Sequence, residues 1–291
     1  MEMREGVVHL ADGRRIGFAV CGRQDAGSRL VYNHGSPGCR LEILALQKAI
    51  DLRTADLCVV AFDRPGFGLS DPLPGRTFFD WPRDVAEAAD KLGIGSMAIL
   101  GASGGSPYAM ACAIALADRV TRLGLVVGTG PAHAPAMDES ALFRLPPRNS
   151  VVRRLQFGML AMAFRRGKGE KVVAKSTLTL AEVDQQAMAR PEVRAWFGDV
   201  FAESLRQGGR AAADETAMYW ADWGFAPRDI AVETLLWYSG LDTNVPAAVG
   251  RWLHEEIADS RLEVWPHHGH FTWAFSKDLT ELVADLCAVA R

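Results

Sequence analysis

Three kinds of side chain stand in this sequence where acyl-transfer chemistry needs them: a serine among small residues, a carboxylate in a loop and a cluster of histidines. The stretch Met97-Ala-Ile-Leu-Gly-Ala-Ser103-Gly-Gly-Ser-Pro-Tyr reads as a short strand, a G-x-S-x-G turn and the start of a helix. A serine on so sharp a turn exposes its hydroxyl as a nucleophile, and only small neighbours such as Gly101, Gly104 and Gly105 let the chain bend so tightly. Ser106 competes for the role, but the next residue, Pro107, has no N–H to offer an oxyanion, whereas Ser103 is followed by Gly104, which does. Ser106 and Pro107 instead suit the first turn of a helix. Further on, Ser239-Gly-Leu-Asp242-Thr-Asn-Val-Pro246 supplies a carboxylate whose plainer role is to cap a turn or a helix. The segment Val264-Trp-Pro-His267-His268-Gly269-His270-Phe271 supplies three candidate bases, among which these residues alone do not choose. No Cys, His or carboxylate stands near them at ligand spacing, so no metal and no other cofactor is expected.

The elements that must position these groups are short apolar runs alternating with helical stretches, the pattern of an α/β fold with a mostly parallel sheet covered on both faces. Eight strands are expected, at Val7–Leu10, Arg15–Val20, Leu30–Asn33, Leu57–Phe62, Met97–Leu100, Leu123–Val127, Thr234–Tyr238 and Leu262–Trp265. The first two are joined by Ala11-Asp-Gly-Arg14, which suits a tight hairpin and an antiparallel start to the sheet. Helices are expected at Arg40–Leu52, Phe79–Leu92, Ser106–Ala117, Ala247–Glu256 and Leu279–Val289. From Pro131 to about Ile230 the patterning is helical with no strand, so residues 131–230 read as a helical cap inserted into a core of residues 1–130 and 231–291. Pro131, Pro135, Pro146 and Pro147 on one side, and Gly224 and Pro227 on the other, mark its borders.

After the third strand the chain reads Val31-Tyr-Asn-His34-Gly35-Ser36-Pro37-Gly38, and after the fourth Ala61-Phe-Asp-Arg-Pro-Gly-Phe-Gly-Leu-Ser-Asp71. With the serine turn, these loops resemble the α/β-hydrolase superfamily. The resemblance implies that the N–H of Ser36 joins that of Gly104 in an oxyanion hole, that Gly35 lies against substrate, and that His34, Asp63, Arg64 and Ser70 brace loops. In that superfamily the order is nucleophile, acid, histidine. The G-x-D-x-x-V-P loop then makes Asp242 the acid, and the G-H-F pattern makes His270 the base, with His268 next in line. The implied activity is cofactor-free hydrolysis of an ester, lactone or amide through an acyl-enzyme on Ser103. The H-G-S-P-G loop and the cap are also similar to those of the proline iminopeptidases, and that alternative assigns an amine-binding role to Glu203, Asp214 or Glu215. Against it, Ser36 replaces that family's second glycine, and its usual tryptophan after the nucleophile is Gly104 here. A lyase, an acyltransferase or a ligand sensor could share the same geometry.

The cap helices carry Phe157, Met159, Met162, Phe164, Phe197, Phe201 and Trp223, and Trp196, Tyr219 and Trp220 are expected to touch an apolar small-molecule substrate. The basic stretch Arg165–Lys171 reads as solvated surface. A length of 291 residues, 49% of them hydrophobic, suits one elaborated domain, and a net charge of -3 provides no field for nucleic acid. Cys21, Cys39, Cys58, Cys112 and Cys287 are scattered and read as apolar thiols of a reducing compartment. The longest apolar run, Ala109–Ala117, is too short to span a bilayer, and the N-terminal residues lack an apolar leader, so a cytoplasmic location is expected.

Overall fold

Successive residues of a strand face opposite sides of a sheet, so apolar runs without alternation must be covered on both faces. The computed structural model describes residues 3–49, 56–137 and 150–288. Its strands are β1 (Arg4–His9), β2 (Arg15–Gly22), β3 (Ser28–Asn33), β4 (Leu57–Phe62), β5 (Met97–Ala102), β6 (Val120–Val126), β7 (Thr234–Ser239) and β8 (Ser260–Trp265). They form one sheet in the order β1-β2-β4-β3-β5-β6-β7-β8. The first two make the expected hairpin, with Gly13 at φ +89° and the Leu10 N–H donating to the Arg14 carbonyl at 2.8 Å. β2 is antiparallel to β4 as well, and from β4 onward all pairings are parallel. Most strands run past their apolar cores, because ladder pairing also recruits polar residues such as Arg4, Ser28 and Ser260.

Val31, Ile99 and Leu236 pack on one face of the sheet under α2 (Trp81–Lys91), α3 (Ser106–Ala115) and α9 (Ala247–Glu256). Their neighbours Leu30, Ala98 and Leu235 pack on the other face under α1 (Ile43–Ala49) and α10 (Asp278–Cys287). The helix expected from Arg40 opens as a 3-10 turn at Arg40–Glu42 before α1, and the expected helix ends at Leu52 and Val289 lie outside the described residues. All five cysteines are free, and burial pushes the Cys21 and Cys287 thiols up to about 12, which leaves them protonated and inert. No helix among the described residues is long and apolar enough to cross a membrane.

Between β6 and β7 the chain forms α4 (Ser150–Arg165), α5 (Gly169–Thr177), α6 (Glu182–Ala189), α7 (Pro191–Ser204) and α8 (Arg210–Trp220), with no strand among the described residues there. Pro191 starts α7 at its first turn, where its missing N–H is harmless. Pro146 and Pro147, expected as borders, lie outside the described residues. Two buried arginines fasten this insertion to the sheet domain. Arg40 bridges Asp63 at 2.9 Å and Glu203 of α7 at 2.6 Å. Arg64, after β4, grips Glu215 of α8 through two bonds of 2.9 and 2.7 Å, and both side chains are fully buried.

Burial pushes the Glu215 carboxyl up, but the charge and hydrogen bonds of Arg64, with the charge of Arg76, bring its pKa down to about 2 from 4.5. A depressed carboxylate stabilises the fold above its unfolded pKa and loses that contribution as pH falls through its folded one. Glu215→Gln, which leaves Arg64 charged and underpaired, should lower the unfolding free energy in urea by about 3–5 kcal/mol at neutral pH. Between roughly pH 5 and 2 the variant should lose less further stability than the parent. Unchanged urea midpoints would show that the pair does not clamp the insertion.

Candidate active site

The site lies at the C-terminal ends of β3, β5, β7 and β8, the edge where open α/β sheets form crevices. Ser103 directly follows β5 with φ at +50°, a left-handed conformation that a side chain rarely adopts, and α3 starts three residues later. Gly101 and Gly105 make this bend possible. A Cβ on Gly101 would stand 2.6 Å from that of Ala109, and one on Gly105 would overlap the Asn33 carbonyl oxygen. Ser106 is buried in the first turn of α3, as expected.

The Ser103 hydroxyl reaches His270 Nε2 at 2.9 Å, and His270 Nδ1 reaches Asp242 Oδ2 at 2.7 Å. The other oxygen of Asp242 accepts the N–H groups of Asn244 and Val245 at 2.7 and 2.9 Å, so the loop itself aims the carboxylate. These partners fix the tautomer of His270, with Nδ1 protonated and Nε2 free to accept the serine proton. Burial lowers the pKa of the ring, but the charge and hydrogen bond of Asp242, with the charges of Asp184 and Glu42, outweigh it, so the pKa lies above the ordinary 6.5. The structure therefore brings together the serine, aspartate and histidine picked out in the sequence. His268 instead faces Asp278 at 2.7 Å and Thr272 at 3.1 Å, and His267 is exposed. No group of three or more metal-binding side chains converges among the described residues.

His34 is fully buried and both its ring nitrogens are occupied, Nδ1 by the Gly35 carbonyl at 2.9 Å and Nε2 by the Arg64 N–H at 3.3 Å. Arg64 also donates to the carbonyls of His34 and Gly35, the latter at 2.8 Å. With the Gly35 carbonyl held on that side, the other end of the same peptide, the Ser36 N–H, points away from it, and it has no partner among the described residues. Ser36 packs against Gly104, where a Cβ would stand 3.2 Å from Ser36 N. Bracing extends to Asp63, which accepts the N–H groups of Arg40 and Leu69 at 2.7 and 2.8 Å, and to Ser70, which accepts that of Gly17 at 2.9 Å.

A cavity of about 230 Å³ opens over Ser103, bounded by Gly35, Ser36 and His270 below and by one helix, α7, above. Trp196, Phe197, Val200 and Phe201 of α7 form its roof. Phe197, Phe201 and Phe271 also line a second, apolar cavity of about 120 Å³. Two expected substrate contacts need correction, because Tyr219 and Trp220 do not line the cavity over Ser103. Tyr219 is fully buried and its hydroxyl donates to the Gly104 carbonyl at 2.7 Å, while Trp220 packs against the larger core cluster. Met159 and Met162 face outward, and Trp223 is buried in that cluster. The carboxylates suggested as amine binders are likewise engaged elsewhere: Glu203 with Arg40, Asp214 with Arg154, and Glu215 with Arg64 and Arg76.

One contributor left no mark in the sequence. Asp184 of α6 is 1% exposed, and its carboxylate accepts three successive N–H groups of the histidine loop. These come from His270 and Phe271, each at 2.8 Å, and from Thr272 at 3.2 Å. An aspartate in an amphipathic helix ordinarily faces water, and no local pattern marks one that reaches a loop 86 residues away.

Residues 31–285 match the profile of the Alpha/beta hydrolase family. The chain is 28% identical over 217 residues to a 2-hydroxymuconate semialdehyde hydrolase of Pseudomonas putida, across 74% of this chain and 70% of that protein. An enol-lactonase from Burkholderia xenovorans superimposes with a TM-score of 0.71 at 20% identity, over 97% of this chain and 99% of that one. A thermophilic esterase from Thermogutta terrifontis gives 0.70 at 20% identity, over 98% and 100%. At these identities the structural likeness is one of fold.

The electrostatics of His270 can be read without a substrate. In Ser103→Ala protein, NMR titration should place its pKa above 6.5, and adding Asp184→Asn should lower that value by removing a nearby charge. Asp242→Asn should lower it further. A titration indifferent to Asp184 would show that this carboxylate holds only the backbone.

Proposed function

The chain belongs to the Alpha/beta hydrolase family, and on that premise we propose that it is a serine hydrolase cleaving an ester, lactone or amide bond of a small, largely apolar substrate. The observation that carries this reading is the unbroken chain from Ser103 through His270 to Asp242, beside a cavity that Ser36 also lines. Residues 131–230 act as the cap of that cavity, and α7 is the part of it that meets substrate.

In this mechanism His270 Nε2 takes the Ser103 proton as the oxygen attacks the acyl carbon, and Asp242 stabilises the imidazolium that results. The N–H groups of Ser36 and Gly104 hold the oxyanion, and loss of one such donor typically costs about 10²–10³ in rate. His270 then protonates the leaving group as the tetrahedral adduct collapses to an acyl-enzyme. Water, deprotonated by the same nitrogen, attacks the acyl carbon, and the acid departs as Ser103 regains its proton.

The apolar roof supports an uncharged substrate. The Pseudomonas putida relative is named for a muconate, whose chemistry includes carboxylate charge. Among the described residues lining this cavity there is no lysine or arginine to meet such a charge. The peptidase alternative loses its support as well, since each suggested amine-binding carboxylate is committed to an arginine.

Fluorophosphonate labelling and p-nitrophenyl ester hydrolysis test the proposal together. Label should appear on Ser103, and Ser103→Ala should lower kcat by roughly 10⁴-fold or more while Ser106→Ala stays active. Because the base must be neutral, kcat/KM should rise with pH through an apparent pKa above 6.5. Asp242, Asp184 and Glu42 set that displacement. His270→Ala should remove the limb and His268→Ala should keep it. An active, labelled Ser103→Ala protein would refute the assignment.

A further inference from the structure

The cavity over Ser103 contains an acid that the proposed mechanism does not use. Glu42, in the 3-10 turn before α1, is 8% exposed and lines the cavity. Its Oε2 accepts the Tyr32 hydroxyl and the Gly35 N–H, both at 2.9 Å. Its Oε1 lies against Gly38, where a Cβ would overlap it, and accepts no hydrogen bond among the described residues, so it keeps a lone pair for a donor that enters the cavity.

The position of this oxygen relative to the reacting atoms follows from Gly35. The point where a Cβ on Gly35 would stand is 3.6 Å from Glu42 Oε1 and 3.9 Å from Ser103 Cβ. The free oxygen and the nucleophile thus both lie beside Gly35, close enough for one small acyl group to reach both. Burial, set against the hydrogen bonds from Gly35 and Tyr32, pushes the Glu42 carboxyl up to about 7, so acid and carboxylate forms coexist near neutrality. A hydroxyl pairs with either form, donating to the carboxylate or accepting from the acid. A second carboxylate would meet Glu42 with no cation in the lining to offset the repulsion.

We propose that Glu42 is the polar subsite of the cavity and recognises a neutral hydroxyl on the acyl part of the substrate. Hydroxyacyl esters are then preferred over alkanoyl esters of the same length, and half-esters of dicarboxylic acids are rejected. This rests on Ser103 as the nucleophile of a hydrolase.

The test compares p-nitrophenyl butanoate, both enantiomers of p-nitrophenyl 3-hydroxybutanoate and p-nitrophenyl hemisuccinate. In the parent protein kcat/KM for one hydroxy enantiomer should exceed that for butanoate by roughly 10- to 100-fold, the range of a hydrogen bond to a charged or partly charged group. The hemisuccinate should fall below butanoate. Glu42→Gln, which keeps an acceptor for Tyr32 and Gly35, should shrink the hydroxyl preference and relax the rejection of hemisuccinate. Glu42→Met should bring the preference close to one, with thermal melting to confirm that each variant folds. Should Met at this position not fold, the Gln variant carries the test. Equal turnover of butanoate and both hydroxybutanoates by a protein labelled at Ser103 would overturn the subsite alone, as would ratios unchanged in Glu42→Gln. Failure to label Ser103 or to cleave any of the esters would overturn the hydrolase reading, and the subsite with it.

Discussion

The proposed catalytic edge of this protein depends on an ion pair with no access to water. Arg64 and Glu215 are both fully buried, and either charge alone in that place would cost several kcal/mol, so the two must arrive together. Arg64 belongs to the loop after β4, and Glu215 belongs to α8 of the insertion. Their pairing therefore brings the insertion down onto the sheet. The remaining guanidinium donors then turn on the carbonyls of His34 and Gly35, which turns the Ser36 N–H away from Arg64. One helical turn beyond Glu215, Tyr219 donates to the Gly104 carbonyl and ties α8 to the turn after Ser103. A clamp built for docking thus also orients one of the two proposed oxyanion donors, the Ser36 N–H.

The histidine loop is held by the same logic with the charges reversed. Three adjacent N–H groups have no strand or helix partner, and a carboxylate from α6 supplies what a backbone ladder would otherwise supply. Burial pushes the Asp184 carboxyl up, and the hydrogen bonds from Phe271 and His270 oppose that rise. The Asp242 loop needs no such help, because its own N–H groups from Asn244 and Val245 hold the carboxylate.

That contrast explains what could be read from the chain before its fold. Ser103 and Gly104 stand in a turn whose small residues are legible on their own, Asp242 and His270 are singled out by resemblance to a family's loops, and the sheet follows from apolar runs whose coverage is a matter of periodicity. Tyr219 and Trp220 cannot be told apart from Phe197 and Phe201 in the sequence, because aromatic residues of an amphipathic helix look alike until the helix is docked. Only the docked structure shows that α8 turns Tyr219 into the core while α7 turns Trp196 toward the cavity. Asp184 and Glu42 were invisible for a related reason. Asp184 acts across 86 residues of chain, and Glu42 is a charged residue in a short turn whose burial depends on the packing of Tyr32 and Gly35.

The same geometry separates chemistry from substrate choice. Asp184 on α6, Glu203 at the end of α7 and Glu215 on α8 pin the insertion to the sheet at three points. Between those points, Trp196, Phe197, Val200 and Phe201 recur at the spacing of a single helix face, and that face is the roof. Side chains there can change in size without moving a hydrogen bond that orients Ser36, Gly104 or His270. Phe197 and Phe201, with Phe271, also form the wall between the cavity over Ser103 and the smaller apolar cavity behind it. A smaller residue in that wall lengthens the available apolar space, whereas a change at Asp184 or Glu215 disturbs the loop of His270 or the grip of Arg64 on the Gly35 carbonyl. Variation in what the enzyme accepts is therefore expected along one face of α7, and constancy at the three acids that hold α7 in place.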